Sequence, residues 1–162
     1  MTGRERQSGW TLVELLVAAV SAAVLALTAG AMLVFTFEAW QQHLALRAMQ
    51  DDIQIAGPTI CMAIREARNS EVTEPAVGVT GARLTLGRRS IYRANSALAY
   101  DPAGALLAYN RDTNANNTMA LCQGRVTTFQ CTRGTNAISF YLVLKDQGET
   151  VSLTNGGVFF RN

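Results

Sequence analysis

The chain has a single histidine, His43, and three cysteines, Cys61, Cys122 and Cys131, with no C-x-x-C pair among them. Zinc sites built from thiolate and imidazole draw their ligands from closely spaced pairs, so that class of site is excluded. Charge is scarce as well: Asp, Glu, Lys and Arg make up 16% of 162 residues, with a net charge of +2. The basic residues form no stripe, so nucleic acid is not expected as a partner. No nucleophile, base and acid set can be assembled from so few candidates, which leaves an enzyme as the weakest class and no cofactor to expect. An odd number of cysteines outside the cytosol allows one bridge and one leftover thiol. The length suits one soluble domain, and the composition points to an envelope protein with a small, partly stapled domain.

What the chain does have is a long apolar run. Apolar residues are 49% of the sequence, and they concentrate near the N-terminus. Leu15 to Phe37 is 23 residues without a formal charge. As a helix it spans about 34 Å, enough for a bilayer core. The preceding MTGRERQSG is short and basic, which favours a cytoplasmic N-terminus. A cleaved secretory signal would have a shorter apolar region, about 7–15 residues, ending at a small-residue exit site. Ala29-Gly30-Ala31 imitates that site, but the run continues through Met32 to Phe35. A plain signal-anchor fits the length and leaves Glu14 unexplained. A carboxylate placed in hydrocarbon costs about 2.5–3.5 kcal/mol on insertion scales and needs a partner. No Lys or Arg lies within a helical turn of it.

Gly9-Trp10-Thr11-Leu12-Val13-Glu14 resembles the class III signal of type IV prepilins and pseudopilins, a glycine followed by an apolar or aromatic residue and T-L-x-E. The resemblance implies that a membrane-embedded prepilin peptidase cuts between Gly9 and Trp10 and methylates the new amine. Trp10 stands where phenylalanine is commoner. The freed amine, on the same chain or a neighbour, would then be the positive partner of Glu14, neutralising both charges and setting the stagger between subunits. The partners implied are the peptidase, other major and minor pilins or pseudopilins, and an inner-membrane assembly platform. The implied location is the bacterial inner membrane, with a single pass, a cytoplasmic N-terminus and a periplasmic C-terminal domain, and later the fibre.

Past Phe37, Trp40, Leu44, Met49, Ile53, Ala56, Ile60, Ile64 and Ala67 recur at steps of three to five, an amphipathic stripe. A helix is expected from about Thr11 to Asn69, with a kink or short break at Gly57-Pro58. Gly30 is a second weak point. Gln50-Asp51-Asp52-Ile53-Gln54-Ile55-Ala56-Gly57, with Cys61 four residues on, resembles the Q-x-D-[LI]-R-x-A-G…C segment of W-type minor pilins, relatives of the J-type minor pseudopilin of type II secretion. Gln54 replaces that pattern's arginine. The terminal Arg161-Asn162 after an apolar strand is also similar to that group.

From Glu71 the period shortens. Strands are expected at Arg83–Leu86, Ser90–Arg93, Ala97–Tyr100, Leu106–Tyr109, Val126–Thr132, Ile138–Leu144 and Thr150–Leu153, with turns that include Asn155-Gly156-Gly157. One long helix packed on an antiparallel sheet is an α+β fold. The expected organisation is a leader at 1–9, an assembly helix at 10–37, its amphipathic continuation at 38–70 and a β-rich domain at 71–162. Cys122 and Cys131 are placed to bridge a hairpin; alternatively, Cys131 on the face of Phe129 approaches Cys61. Both pairings stand open at this point. Asp112-Thr113-Asn114-Ala115-Asn116-Asn117 alternates oxygen side chains as calcium loops do, but lacks the glycine at the sixth position and the acid at the twelfth. Solvated turns are the default for such a segment. His43 is expected to be solvated, and Tyr92, Tyr100, Tyr109 and Tyr141 to pack on sheet faces. The functional expectation is a minor pilin acting in the tip or initiation complex. A type II secretion pseudopilin is the alternative, and a signal-anchored periplasmic sensor or binding domain is the reading from another class.

Overall fold

The computed structural model describes residues 11–95, 105–113, 115, 117–122 and 125–161. The long apolar and amphipathic stretches form one helix, α1, Leu12–Glu66. The chain divides into two compact units, Met1–Gln41 and Gln42–Asn162. In the first, every residue from Thr11 to Glu38 is exposed. This segment is long and apolar enough to cross a membrane.

In the second unit α1 behaves as an ordinary core helix. Ala45, Met49, Ala56, Gly57, Ile60, Ala63 and Ile64 are buried. The steps between them keep one face inward, as an amphipathic helix requires. The buried stripe therefore starts at Ala45, whereas Trp40 and Leu44, expected on it, remain 59% and 47% exposed. The helix also runs without a break through Pro58. Proline deprives one carbonyl of its N–H partner, but Ala56, Gly57 and Ile60 around it are locked in the core. A Cβ at Gly57 would meet Leu153 Cδ2 at 3.1 Å. Burial of this turn outweighs the local propensity to break. The helix stops at Glu66, short of the expected Asn69, and a 3-10 turn at Asn69–Glu71 leads into the sheets.

Among the described residues nine strands follow: β1 Val72–Glu74, β2 Thr80–Gly81, β3 Arg83–Leu86, β4 Arg89–Asn95, β5 Ala105–Asn110, β6 Thr118–Cys122, β7 Val126–Arg133, β8 Ala137–Asp146 and β9 Glu149–Phe159. They form two antiparallel sheets, ordered β1-β3-β4-β5-β6 and β2-β7-β8-β9. This is the expected α+β class, with two sheets where one was expected. The chain changes sheet across a single residue, Ala82, between β2 and β3. Alternation shows which side chains point inward, but it does not name the neighbour of each strand. The expected strand at 97–100 lies outside the described residues. The expected turn at Asn155-Gly156-Gly157 is instead part of β9. Ile138 pairs with Val158 and Phe140 with Asn155, so three steps on β9 face two on β8. That extra residue is a bulge, which Asn155 Oδ1 closes by accepting the Gly157 N–H at 3.1 Å.

Both sheets and the second half of α1 share one core, which includes Met49, Ile60, Ile64, Leu84, Ile91, Leu107, Phe129, Ile138, Leu142 and Leu144. Each such side chain contributes about 1.5–3 kcal/mol by burial. The exit of α1 is clamped by Arg133 of β7. Its guanidinium donates to the carbonyls of Val72 at 2.7 Å and Asn69 at 2.9 Å, and to Asn69 Oδ1 at 2.9 Å. Arg125 links the helix to the end of β8, donating from Nε to Asp146 and lying 4.0 Å from Asp52.

Candidate assembly site at the head of the helix

Gly9 and Trp10, the expected cleavage and methylation positions, lie outside the described residues. The site is therefore built from Thr11 and Glu14. Thr11 is the N-cap of α1, and Glu14 is the third residue of the first turn. The Glu14 N–H donates to Thr11 Oγ1 at 3.3 Å. Glu14 Oε2 in return accepts the Thr11 N–H and hydroxyl, each at 3.1 Å. This reciprocal pair satisfies two N–H groups that a helix start leaves open, and the carboxylate faces the positive end of the helix dipole. The signal for it in the sequence is T-x-x-E at Thr11 to Glu14, a capping-box spacing. Glu14 thus has a local role in starting the helix.

Downstream, the polar side chains of the apolar run are Ser21, Thr28 and Thr36. Each hydroxyl donates back to its own helix: Ser21 to the Val17 carbonyl at 2.8 Å, Thr28 to Leu25 at 2.9 Å and Thr36 to Met32 at 2.6 Å. In hydrocarbon, where no water can take a hydrogen bond, this leaves no hydroxyl proton unpaired. The run ends at Phe37, whose ring meets Trp40 edge-on, with centroids 6.4 Å apart.

The structure does not bring the three cysteines together; all three are free thiols. β6 and β7, which carry Cys122 and Cys131, belong to different sheets, so the hairpin expected to bring them face to face is not formed. Cys122 is buried with Sγ 3.9 Å from the Asp52 carbonyl. Cys131 is buried at the sheet crossing, 3.4 Å from the Gly81 carbonyl and 3.3 Å from that of Arg83. Its single thiol proton bonds one of them at a time. Burial pushes both thiols up to about 12. They are inert, small core groups rather than nucleophiles. Cys61, half-buried, accepts from Asn155 Nδ2 at 3.4 Å.

The loop at Asp112 closes the β5–β6 hairpin. The Asp112 N–H donates to Asn110 Oδ1 at 3.0 Å, and the Arg111 N–H to the Asn117 carbonyl at 3.1 Å. Asn114 and Asn116 lie outside the described residues, and no group of three metal-ligating side chains occurs among the described ones. Tyr109 is buried and Tyr141 is 39% exposed, while His43 is exposed on α1.

These features define a class: an α+β domain carried on a membrane-length apolar helix whose first turn holds one carboxylate. Comparison with protein-family models, with curated proteins and with solved structures finds no match for this chain.

Proposed function

We propose that the chain is a membrane-anchored subunit of a fibre whose core is built from apolar N-terminal helices. Within that class it is a minor pilin of a type IV pilus that acts in the initiation or tip complex, after cleavage at Gly9 and methylation of Trp10. A minor pseudopilin of type II secretion is the second form of the same reading.

One observation carries the proposal. Glu14 is the lone charge at the head of a helix whose next 23 residues are uncharged and exposed on every side. Such a surface needs lipid or other apolar helices around it. Packed among apolar helices, its carboxylate needs a cation that the sequence near it does not supply. The amine freed at Trp10 would be that cation. The resemblance at Gly9–Glu14 and at Gln50–Gly57 supports the same reading.

Mass spectrometry of the N-terminus in cells that carry the peptidase tests it: the mature chain should begin at methylated Trp10. An intact Met1 would favour the signal-anchored sensor or binding domain. Gly9→Val should block processing. Glu14→Gln is the sharper variant at the helix head, because the amide oxygen can still accept from Thr11 while the charge is gone. It should be processed and then fail to enter fibres; normal incorporation would defeat the charge-pairing argument.

A further inference from the structure

We infer that Trp40, with Phe37 against it, anchors α1 in the headgroup layer on the outer side of the membrane. This inference rests on the membrane-spanning part of the reading above and goes beyond it by assigning a lipid contact and a depth. Periodicity alone places Trp40 on the core-facing stripe of the second unit. In the structure that stripe begins at Ala45, and Trp40 is left 59% exposed beside Phe37 at 55%. The two rings meet edge to face, 62° apart, at the point where the uncharged run gives way to Glu38, Gln41, Gln42 and His43.

Depth follows from helix geometry. With the midpoint of the run, Ala26, at the bilayer centre, a rise of 1.5 Å per residue puts Phe37 about 16.5 Å and Trp40 about 21 Å out. The hydrocarbon half-thickness is about 15 Å, and about 20–22 Å with headgroups included. The purely apolar ring thus meets the hydrocarbon edge, and the indole, with an apolar body and one N–H donor, lies among headgroups. An amphipathic ring is most stable there. On the opposite side, the same arithmetic places Glu14 about 18 Å from the centre, at the inner boundary.

The test uses the full chain carrying Trp10→Phe, so that Trp40 is the sole indole, in phosphatidylcholine vesicles brominated either near the headgroup or near the chain end. Shallow bromines should quench Trp40 about twofold or more over deep ones, as an interfacial ring requires. Adding Phe37→Trp and Trp40→Phe to Trp10→Phe moves the indole one turn inward and should raise the deep contribution. Carbonate extraction of the same vesicles separates the two claims. A chain that washes off refutes the membrane-spanning reading and this inference with it. A chain that stays while deep bromines quench equally, or while aqueous acrylamide quenches Trp40 as in the unfolded chain, refutes the inference alone.

Discussion

From Leu15 to Phe37, Leu, Val, Ala and Phe cover every side of α1 and all are exposed; from Ala45 to Arg65, the same kinds of residue are sorted so that one face is buried and the charged residues lie on the other. The first region carries its three hydroxyls bonded back to its own backbone. The second carries Arg47, Asp51 and Arg65 outward into water. One helix is thus written in two patterns, the first apolar on every side and long enough to cross a membrane, the second striped. An all-round apolar surface has no core of its own to fill, whereas a stripe does. The stability of the second region is set by packing, and that of the first by its surroundings.

The largest effect that would sharpen this contrast lies in the core. Phe129→Ala, at a side chain 2% exposed, should cost about 3–5 kcal/mol in urea unfolding of the second unit. It should leave membrane insertion unchanged. Next comes the mirror experiment. Leu25→Arg sets a charge mid-run at about 2.5–3.5 kcal/mol on insertion scales, which should lower the inserted fraction without moving the urea midpoint. A shifted midpoint would mean that the two regions do not behave independently. Thr11→Ala removes the cap and should cost about 1 kcal/mol locally. Faster amide exchange at Leu12–Leu15 would report it, Thr11→Ser should restore protection, and the second unit should not respond.

The last effect is absent at neutral pH. Cys122 and Cys131 are raised to about 12 in the folded chain, against about 8.5 for a free thiol. The stability that these neutral thiols contribute is complete below about pH 8.5 and is lost as pH climbs toward 12. Urea midpoints should therefore fall over that window, and a Cys122→Ala, Cys131→Ala variant should show a flatter fall. In the folded chain at pH 8, a thiol reagent should label Cys61 and spare the other two.

Much of the fold was legible because it is periodic. The strands expected at Arg83–Leu86, Val126–Thr132 and Ile138–Leu144 were recognisable from alternation and form within a residue or two of those bounds, and the core positions Met49, Ile60 and Ile64 were recognisable from their spacing. A break at Pro58 and a turn at Asn155-Gly156-Gly157 are both locally favoured and both absent, for one shared reason. Their local preference to break or turn is worth about 1 kcal/mol for a glycine and about 3 kcal/mol for the proline, and neighbours from distant sequence outweigh it: the core around Gly57 in one case, the β8 ladder in the other. The two-residue β2 carries too little pattern to be seen at all. At the helix head, Thr11 was readable from its spacing to Glu14. Its hydrogen bonds to that carboxylate were not, since they depend on where the helix begins.

The sequence by itself determined that this chain carries a membrane-length apolar helix with a single acid at its head and an α+β domain behind it. Those are properties of composition and period, which need no knowledge of contacts. Tertiary structure alone decided that the strands divide into two sheets between which the chain crosses, once over the single residue Ala82, that the helix runs on through Pro58, and that the three thiols stand apart. Each of these depends on which distant residues meet, and burial against such neighbours outweighs what any short segment prefers.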